Sequence, residues 1–485
     1  MNMDNWLIKR AQLTPNRLAV QYQETKLTFL QMKNNVLKLA SQLAHYAKTE
    51  ERVAVITSNN LQGYLMILAV QQLGKTVVLI NRRLAAREIN FQLQDAAINL
   101  VVQDDDFNLE LEKVQQLPFA KIVDTSVVNT ITPVTDFNLT DVTSIMYTSG
   151  TTGNPKGVMQ TFGNHFYSAI GSALNLGLMP NDVWLAVVPI FHISGLSIMM
   201  RSLIYGMGVR LVEKFDVKRI NDILLSGDVT TISVVPMMLT RLLAALPVNT
   251  QYHPNFRTML LGGGPTDLMT LQKATHSGIE VVQSYGMTET ASQVIALDAA
   301  NAQRKIGSAG QPLLPVSLRI AHPDDKQHGR IQIKSPTLAV GYLNQPEKYA
   351  DSFEDGWFDT GDMGWIDDEG FLYIDGREGD MISSGGENVF PDEIESTYAT
   401  LTEIAQIAVV GVPDEKWGAV PIAFITFKDN KYLSQQDLRD FGREMLAHYK
   451  VPAKFYQLDE FPRTASGKVQ RHKLVDAMIY ATLIN

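Results

Sequence analysis

The sequence predicts an α/β protein of more than one domain, on three observations. Short β-branched runs alternate with helically spaced apolar residues in two long stretches, which is the pattern of βαβ units and a parallel sheet. After about residue 307 the texture changes to short strands and turns. At 485 residues, the chain also exceeds what one hydrophobic core holds.

The alternation is clearest from 52 to 104. Residues 53–57 form a β-branched run, 61–73 carry helical spacing and stop at Gly74, and 76–80 are apolar again. An amphipathic helix is expected over 85–97 and a strand at 100–102. The pattern recurs from 182 to 283, with strands near 184–188, 209–212, 231–235 and 258–261. Beyond 307, short strands are expected at 318–320, 329–333 and 370–374. A glycine-containing charged turn, Gly376-Arg377-Glu378-Gly379-Asp380, marks a boundary. The remainder mixes strands at 405–412 and 421–427 with a helix for which Ser434 suits the N-cap, and Pro452 ends the segment beyond that helix.

Composition narrows the function. Apolar residues make up 45% and charged residues 19%, an ordinary globular balance. Lys and Arg total 42 against 51 acidic residues, a net charge of −9 that opposes nucleic acid and anionic membranes. Phosphate binding in such a chain must gather backbone N–H groups and positive charge locally. The absence of cysteine excludes disulfides, thiolate metal sites and a cysteine nucleophile, so thioester chemistry would need a thiol from elsewhere. The polar start, Met1 to Trp6, lacks a signal-peptide core, and Arg201 interrupts the most apolar stretch, 193–209, below the ~18 residues of a membrane span. A soluble, cytoplasmic protein without membrane insertion is expected; a homo-oligomer is left open.

Six segments carry chemistry. Tyr147-Thr148-Ser149-Gly150-Thr151-Thr152-Gly153-Asn154-Pro155-Lys156-Gly157 follows the apolar run 142–146. Read alone it is a flexible surface loop or a cradle in which backbone N–H groups wrap phosphate oxygens. The Gly150–Gly153 spacing and the Gly after Lys156 exclude a Walker-type P-loop. Then come Pro189-Ile190-Phe191-His192-Ile193-Ser194-Gly195, Gly262-Gly263-Gly264-Pro265 and Ser284-Tyr285-Gly286-Met287-Thr288-Glu289-Thr290. Asp359-Thr360-Gly361-Asp362, with Arg377 downstream, and Pro462-Arg463-Thr464-Ala465-Ser466-Gly467-Lys468 complete the set. Singly, a lone histidine is usually structural, an Asp-rich turn is usually a turn, and a lysine in a Ser-Gly turn is usually solvated.

In this order along the chain, the segments resemble the signatures of the adenylate-forming superfamily: acyl-coenzyme A synthetases, carrier-loading adenylation domains and beetle luciferases. The resemblance implies a large N-terminal domain, 1–376, of βαβ-type sheets plus a small barrel-like part. A hinge at 377–380 and a small mobile α+β C-terminal domain, 381–485, come after it. It implies ATP and coenzyme A as cosubstrates with Mg²⁺. By the same resemblance Thr148, Ser149, Gly150, Thr151, Thr152, Gly153 and Lys156 hold the nucleotide phosphates. Gly262, Gly263, Gly264, Ser284, Tyr285 and Gly286 approach adenine and the acyl group. Thr288 holds the α-phosphate, Glu289 coordinates the metal, Asp362 binds the ribose hydroxyls and Arg377 reaches ribose and phosphate. His192 gates the acyl pocket and thiol tunnel, Lys468 catalyses adenylation, and Gly379 is the hinge, where many relatives carry Asp or Lys.

For the acid, residues 156–165, 191–196 and 384–391 are most similar to the 2-succinylbenzoate–CoA ligases of menaquinone (vitamin K2) biosynthesis. A physical clue agrees with a dicarboxylate. Arg201 lies in the otherwise apolar segment 195–205, where a charge is costly unless paired. It either snorkels or pairs with a nearby acid, or it receives the substrate's ring carboxylate beside His192 and Gly263. Another aryl- or acyl-CoA ligase, a carrier-loading adenylation enzyme, a luciferase-like oxygenase and a non-catalytic binding module remain the alternatives. Which group deprotonates the coenzyme A thiol is open; His192 is one candidate.

Overall fold

The computed structural model describes residues 1–125, 130–148, 155–264, 266–384, 387–414, 417–446, 448–463 and 469–484. The chain forms two compact units: Met1–Leu318 with Ile333–Phe358, and Arg319–Gln332 with Asp359–Asn485.

Among the described residues the first unit pairs Asn2–Asp4 with Asp136–Asn138 and contains two large sheets. In one, the strands run in the order Gly341–Tyr342, Lys156–Thr161, Val142–Thr148, Thr76–Ile80, Arg52–Ile56, Leu100–Gln103 and Gln115–Pro118. The pairs from Val142–Thr148 onward are parallel. The other sheet has a parallel centre of Val281–Met287, Thr258–Gly262, Thr231–Val234, Val183–Ala186, Gly208–Leu211 and Leu18–Tyr22, with antiparallel strands beyond each end. Strand–helix alternation was the signal for this sheet, and parallel neighbours require such crossovers.

Between the sheets lies one apolar core to which both contribute, with Val53, Val55, Val77 and Leu79 from the first and Trp184, Ala186, Val209 and Leu211 from the second. The helices Phe29–Leu43, Leu61–Gln72 and Ile193–Tyr205 fill it. Leu61–Gln72 is buried from Gly63 to Gln72, as a helix apolar on all faces must be. Gly63 is required there, because a Cβ would overlap the Thr57 side chain. Asn60 caps the helix by accepting the Gly63 N–H at 2.8 Å. Each fully buried aliphatic side chain in this layer contributes about 1.5–3 kcal/mol. Charge is correspondingly expensive along the buried part of Ile193–Tyr205, from Gly195 to Leu203.

In the second unit the strands near 317–321, 329–334, 357–366 and 372–377 follow one another in order. The part expected to be barrel-like is thus an open ladder, because strand Ser317–Ala321 ends the row rather than pairing back to close it. The C-terminal part is α+β as expected. Its centre is a long hairpin, Ile404–Asp414 against Gly418–Phe427, and the strand Phe455–Gln457 adds in parallel. Helices Pro391–Tyr398 and Gln435–Met445 contribute Ile394, Tyr398 and Leu438 to its core. Ser434 is the predicted N-cap and forms a capping box with Asp437. Residues 377–380 lie inside this second unit, where Glu378–Asp380 forms a turn directly after Leu372–Arg377.

Candidate active site

Parallel pairing decides where the motifs meet. Strands Val183–Ala186, Thr231–Val234, Thr258–Gly262 and Val281–Met287 point the same way, so the segments leaving their carboxyl ends share one edge. That edge carries His192, Gly263 and Thr288, and the carboxyl edge of an open α/β sheet is where ligands bind. Gly263 has φ +84°, a left-handed conformation that favours glycine, and both Gly263 and Gly264 are exposed. Gly262 pairs with Ser284 across parallel strands, and the Ser284 hydroxyl donates to the Leu261 carbonyl at 3.1 Å.

The turn after Val281–Met287 is held from several sides. Thr290 Oγ1 accepts the Met287 N–H at 2.9 Å and donates to the Ser292 carbonyl at 2.6 Å. Gly286 admits the returning strand, since a Cβ would collide with the Ser292 carbonyl. Gln160 Nε2 donates to the Thr288 carbonyl at 2.7 Å, and the Glu289 carbonyl accepts the Ala339 N–H at 2.7 Å. The Tyr342 hydroxyl donates to Glu289 Oε1 at 3.0 Å, and Lys156 Nζ stands 4.5 Å from the centre of the same ring. Burial, then the Glu289 charge, pushes the Tyr342 phenol well above its ordinary range, so it stays a donor. Lys156 and Glu289, far apart in sequence, therefore face one aromatic ring.

Thr148 and Lys156 are opposed residues of an antiparallel strand pair, the last of one strand and the first of the next. The strand Lys156–Thr161 has no counterpart in the sequence expectation. Ser149, Gly150, Thr151, Thr152 and Gly153 lie outside the described residues, as does Lys468.

His192 precedes the helix Ile193–Tyr205, and the turn carrying it is fixed by Asn59. That side chain donates to the Ala186 and Val188 carbonyls at 3.3 and 2.8 Å and accepts the Ile190 N–H at 2.8 Å. The rings of Phe191 and His192 pack edge-on at 4.8 Å, with the Arg83 guanidinium 6.0 Å from the Phe191 centre. Burial, then Arg83, lowers the His192 pKa to about 4. The ring is neutral at pH 7 and a weak base.

Arg201 neither snorkels nor meets an acid: it is 2% exposed, with no carboxylate partner among the described residues. Its Nη2 donates to Ser292 Oγ at 3.3 Å, the guanidinium stands 5.4 Å from the Trp184 ring centre, and Nε has no partner. Burial lowers its pKa. His165 feels its charge, and burial, then Arg201, depresses the His165 pKa to about 3. Ser144 Oγ donates to Gln160 Oε1 at 2.9 Å and lies 2.9 Å from His165 Nε2, so Nε2 must carry the ring proton. The bare Nδ1 is buried and unpartnered. The subsite is therefore strongly desolvated and cationic.

In the second unit, Asp362 and Arg377 are opposed on adjacent strands and joined at 2.8 Å. Arg377 Nη1 also donates to the Thr360 carbonyl at 2.9 Å, next to Gly361, which takes φ +73° within the strand Trp357–Ile366. Asp362 is 5% exposed, an oriented acceptor for hydroxyls. Gly379 is exposed with no atom within 4 Å of a built Cβ and no positive φ, so this backbone would also accept a side chain such as Asp or Lys.

Asn59, Ser292 and Tyr342 are absent from the sequence expectation, because each acts on a motif 50 or more residues away in the chain and has no local signature; Gln160 appears there only within the stretch 156–165, with no role assigned. Arg83 was more accessible: two adjacent arginines directly after a strand, at 82 and 83, are a visible signal.

The chain is 45% identical over 479 residues to the 2-succinylbenzoate–CoA ligase of Listeria innocua, covering 97% of this chain and 99% of that one. It superposes on o-succinylbenzoate CoA synthetase from Bacillus subtilis in complex with its acyl-adenylate intermediate with a TM-score of 0.93, at 39% identity over 98% of each chain. The same enzyme with ATP and magnesium ion gives a TM-score of 0.93 at 38% identity, covering 98% of this chain and 100% of that one. Residues 7–343 match the model of the AMP-binding enzyme and residues 393–468 that of its C-terminal domain, and the chain belongs to the AMP-binding enzyme family.

Proposed function

We propose that this chain ligates 2-succinylbenzoate to coenzyme A with ATP, in the manner of the relatives whose names carry that activity. The aliphatic carboxylate attacks the α-phosphorus, pyrophosphate leaves, and an acyl-adenylate forms. The thiol sulfur of coenzyme A then attacks the acyl carbon and AMP leaves, giving 2-succinylbenzoyl-CoA, the activated form used in menaquinone biosynthesis. ATP and coenzyme A as cosubstrates support a cytoplasmic location.

The first step brings an anion against a polyanion and needs no base. Its barrier is charge repulsion, which fixed positive groups and orientation lower. In this reading Lys468, Lys156 and the backbone around 148–153 supply those groups, Thr288 receives the α-phosphate, and Asp362 with Arg377 holds the ribose. Glu289 fits a magnesium ion: one carboxylate, oriented by Tyr342, suits a cation that usually keeps several waters. When bound, the ion supplies charge neutralisation on the triphosphate. His192, with a pKa near 4, is a poor acceptor for a thiol proton, which favours a gating role over base catalysis.

One observation carries the acid assignment: a buried guanidinium without a carboxylate partner among the described residues, Arg201, behind the Thr288–Thr290 turn. Leaving such a charge unpaired is costly, and the ring carboxylate of the diacid would compensate it directly or through water. The test is AMP release with a panel of carboxylic acids, with and without coenzyme A. Preference for 2-succinylbenzoate over benzoate, fatty acids and the analogue lacking the ring carboxylate, with thioester formed on free coenzyme A, supports the reading. Preference for a monoacid replaces it with another aryl- or acyl-CoA ligase.

A further inference from the structure

A buried polar seam runs through the first unit behind the Thr288–Thr290 turn. The helix Phe162–Leu176 packs on the helix Ile193–Tyr205 and on the strand Ser292–Leu297. Along its inner face Ser168 donates to the Ala291 carbonyl at 2.7 Å and Ser172 accepts from Gln293 Nε2 at 3.3 Å. Arg201 reaches Ser292 from the other helix. His165, one turn before Ser168, falls at the end of this seam toward Thr288–Thr290 and is 2% exposed.

A chain of hydrogen bonds fixes the tautomer of that ring. Gln160 Nε2 donates to the Thr288 carbonyl, so Gln160 Oε1 accepts from Ser144 Oγ, and Ser144 in turn accepts from His165 Nε2. The other tautomer would turn the Gln160 amide over and set its oxygen against the Thr288 carbonyl. Nδ1 is therefore an obligate acceptor, since burial, then Arg201, keeps the ring from taking a second proton. It has no donor among the described residues, and the Arg201 Nε–H on the facing helix has no acceptor there. A carboxylate satisfies the guanidinium but not Nδ1, because both are acceptors. One water satisfies both.

We propose that His165 is a specificity-determining residue of the acid subsite: its Nδ1 and the Arg201 Nε–H hold one water, whose second hydrogen is donated to the carboxylate that is not activated. The water accepts from the guanidinium and spends one hydrogen on the imidazole. The hydrogen left over makes the subsite a donor beside a positive charge, which selects an anionic acceptor. Three partners are the usual complement of a buried water. The inference deepens the 2-succinylbenzoate reading and rests on it.

His165→Gln and His165→Asn separate the two edges of the ring. The glutamine amide reaches the Nε2 position, keeping the donor to Ser144 and losing the acceptor at Nδ1. Asparagine keeps an oxygen near Nδ1 and loses the Ser144 contact. On the full chain, kcat and KM are measured for 2-succinylbenzoate and for the analogue lacking the ring carboxylate, with saturating ATP and coenzyme A. In His165→Gln, kcat/KM for the diacid should fall ~5-fold or more while that for the analogue stays within about 2-fold, the scale of one water-mediated hydrogen bond. His165→Asn should keep the diacid-to-analogue ratio of the wild type and lose kcat on both acids, because the link to Thr288 is cut. An unchanged ratio in His165→Gln, or an equal loss on both acids there, overturns the proposal. A crystal structure of the wild type with the diacid bound is an independent check. A water touching both Nδ1 and the Arg201 Nε is expected, and Arg201 or the carboxylate directly against Nδ1 overturns the proposal. Failure of the underlying reading looks different: there the wild type itself prefers a monoacid, whereas a wrong role for His165 leaves the wild-type preference for the diacid intact.

Discussion

Arg201 shows how much a single side chain can constrain an assignment. A guanidinium between two sheets, touching a hydroxyl and an indole but no carboxylate among the described residues, destabilises the unliganded fold. Arg201→Met keeps similar volume and removes the charge. Its Tm should therefore equal or exceed that of the wild type, while the KM for 2-succinylbenzoate rises by ~10-fold or more, the scale of one charge-assisted hydrogen bond. The KM for ATP should barely move. A lower Tm with an unchanged acid KM would make Arg201 a structural residue. At Lys468 the expected signature is a split between half-reactions. Lys468→Ala should lower adenylation by at least ~10²-fold and leave thioester formation from supplied acyl-adenylate nearly intact. Equal loss in both assays would remove the catalytic assignment.

At the scale of elements, the informative contrast is between two glycines that look alike in the sequence. Gly286 cannot be replaced without moving the strand that returns past it, because a Cβ would meet the Ser292 carbonyl. Gly379 meets nothing and needs no special φ. Its value in the proposed mechanism is freedom of backbone rotation in the turn Glu378–Asp380. Gly379→Pro fixes φ and should slow thioester formation while preserving pyrophosphate exchange. Gly379→Ala should be close to neutral in both. Loss of exchange in the proline variant would show that the turn supports adenylation itself rather than the change of conformation.

For the whole molecule, the buried histidines predict how stability follows pH. His192 and His165 titrate near 4 and near 3 in the folded chain, against an ordinary value of 6.5. Between those values the unfolded chain binds protons that the native one refuses, so protonation favours unfolding. Their contribution is complete above pH 6.5 and is lost as pH falls through about 4 toward 3. Tm measured from pH 7.5 to 4.5 should decline below about 6.5, and His165→Gln should flatten the decline by removing one of the two groups. A decline of the same slope in that variant would assign the acid sensitivity to carboxylates instead.

Much of this protein was legible before any tertiary contact was known, for a local reason. Strand–helix alternation, the Ser434 cap and the six motif segments are encoded within about ten residues each, so periodicity and spacing expose them. Asp362 and Arg377, singled out by motif, do meet as cross-strand neighbours. Tertiary structure alone decided the rest. Burial of Arg201 without an acid follows from its helix being enclosed by two sheets, which no apolar run reveals. The low pKa of His192 comes first from burial in the packed chain and then from Arg83, brought near by another strand. Tyr342 orders Glu289 and faces Lys156 from 53 and 186 positions away, and Arg471 gathers three acids lying 76 to 91 positions earlier. Electrostatics depends on distance and dielectric, both properties of the packed chain, whereas a sequence records only order.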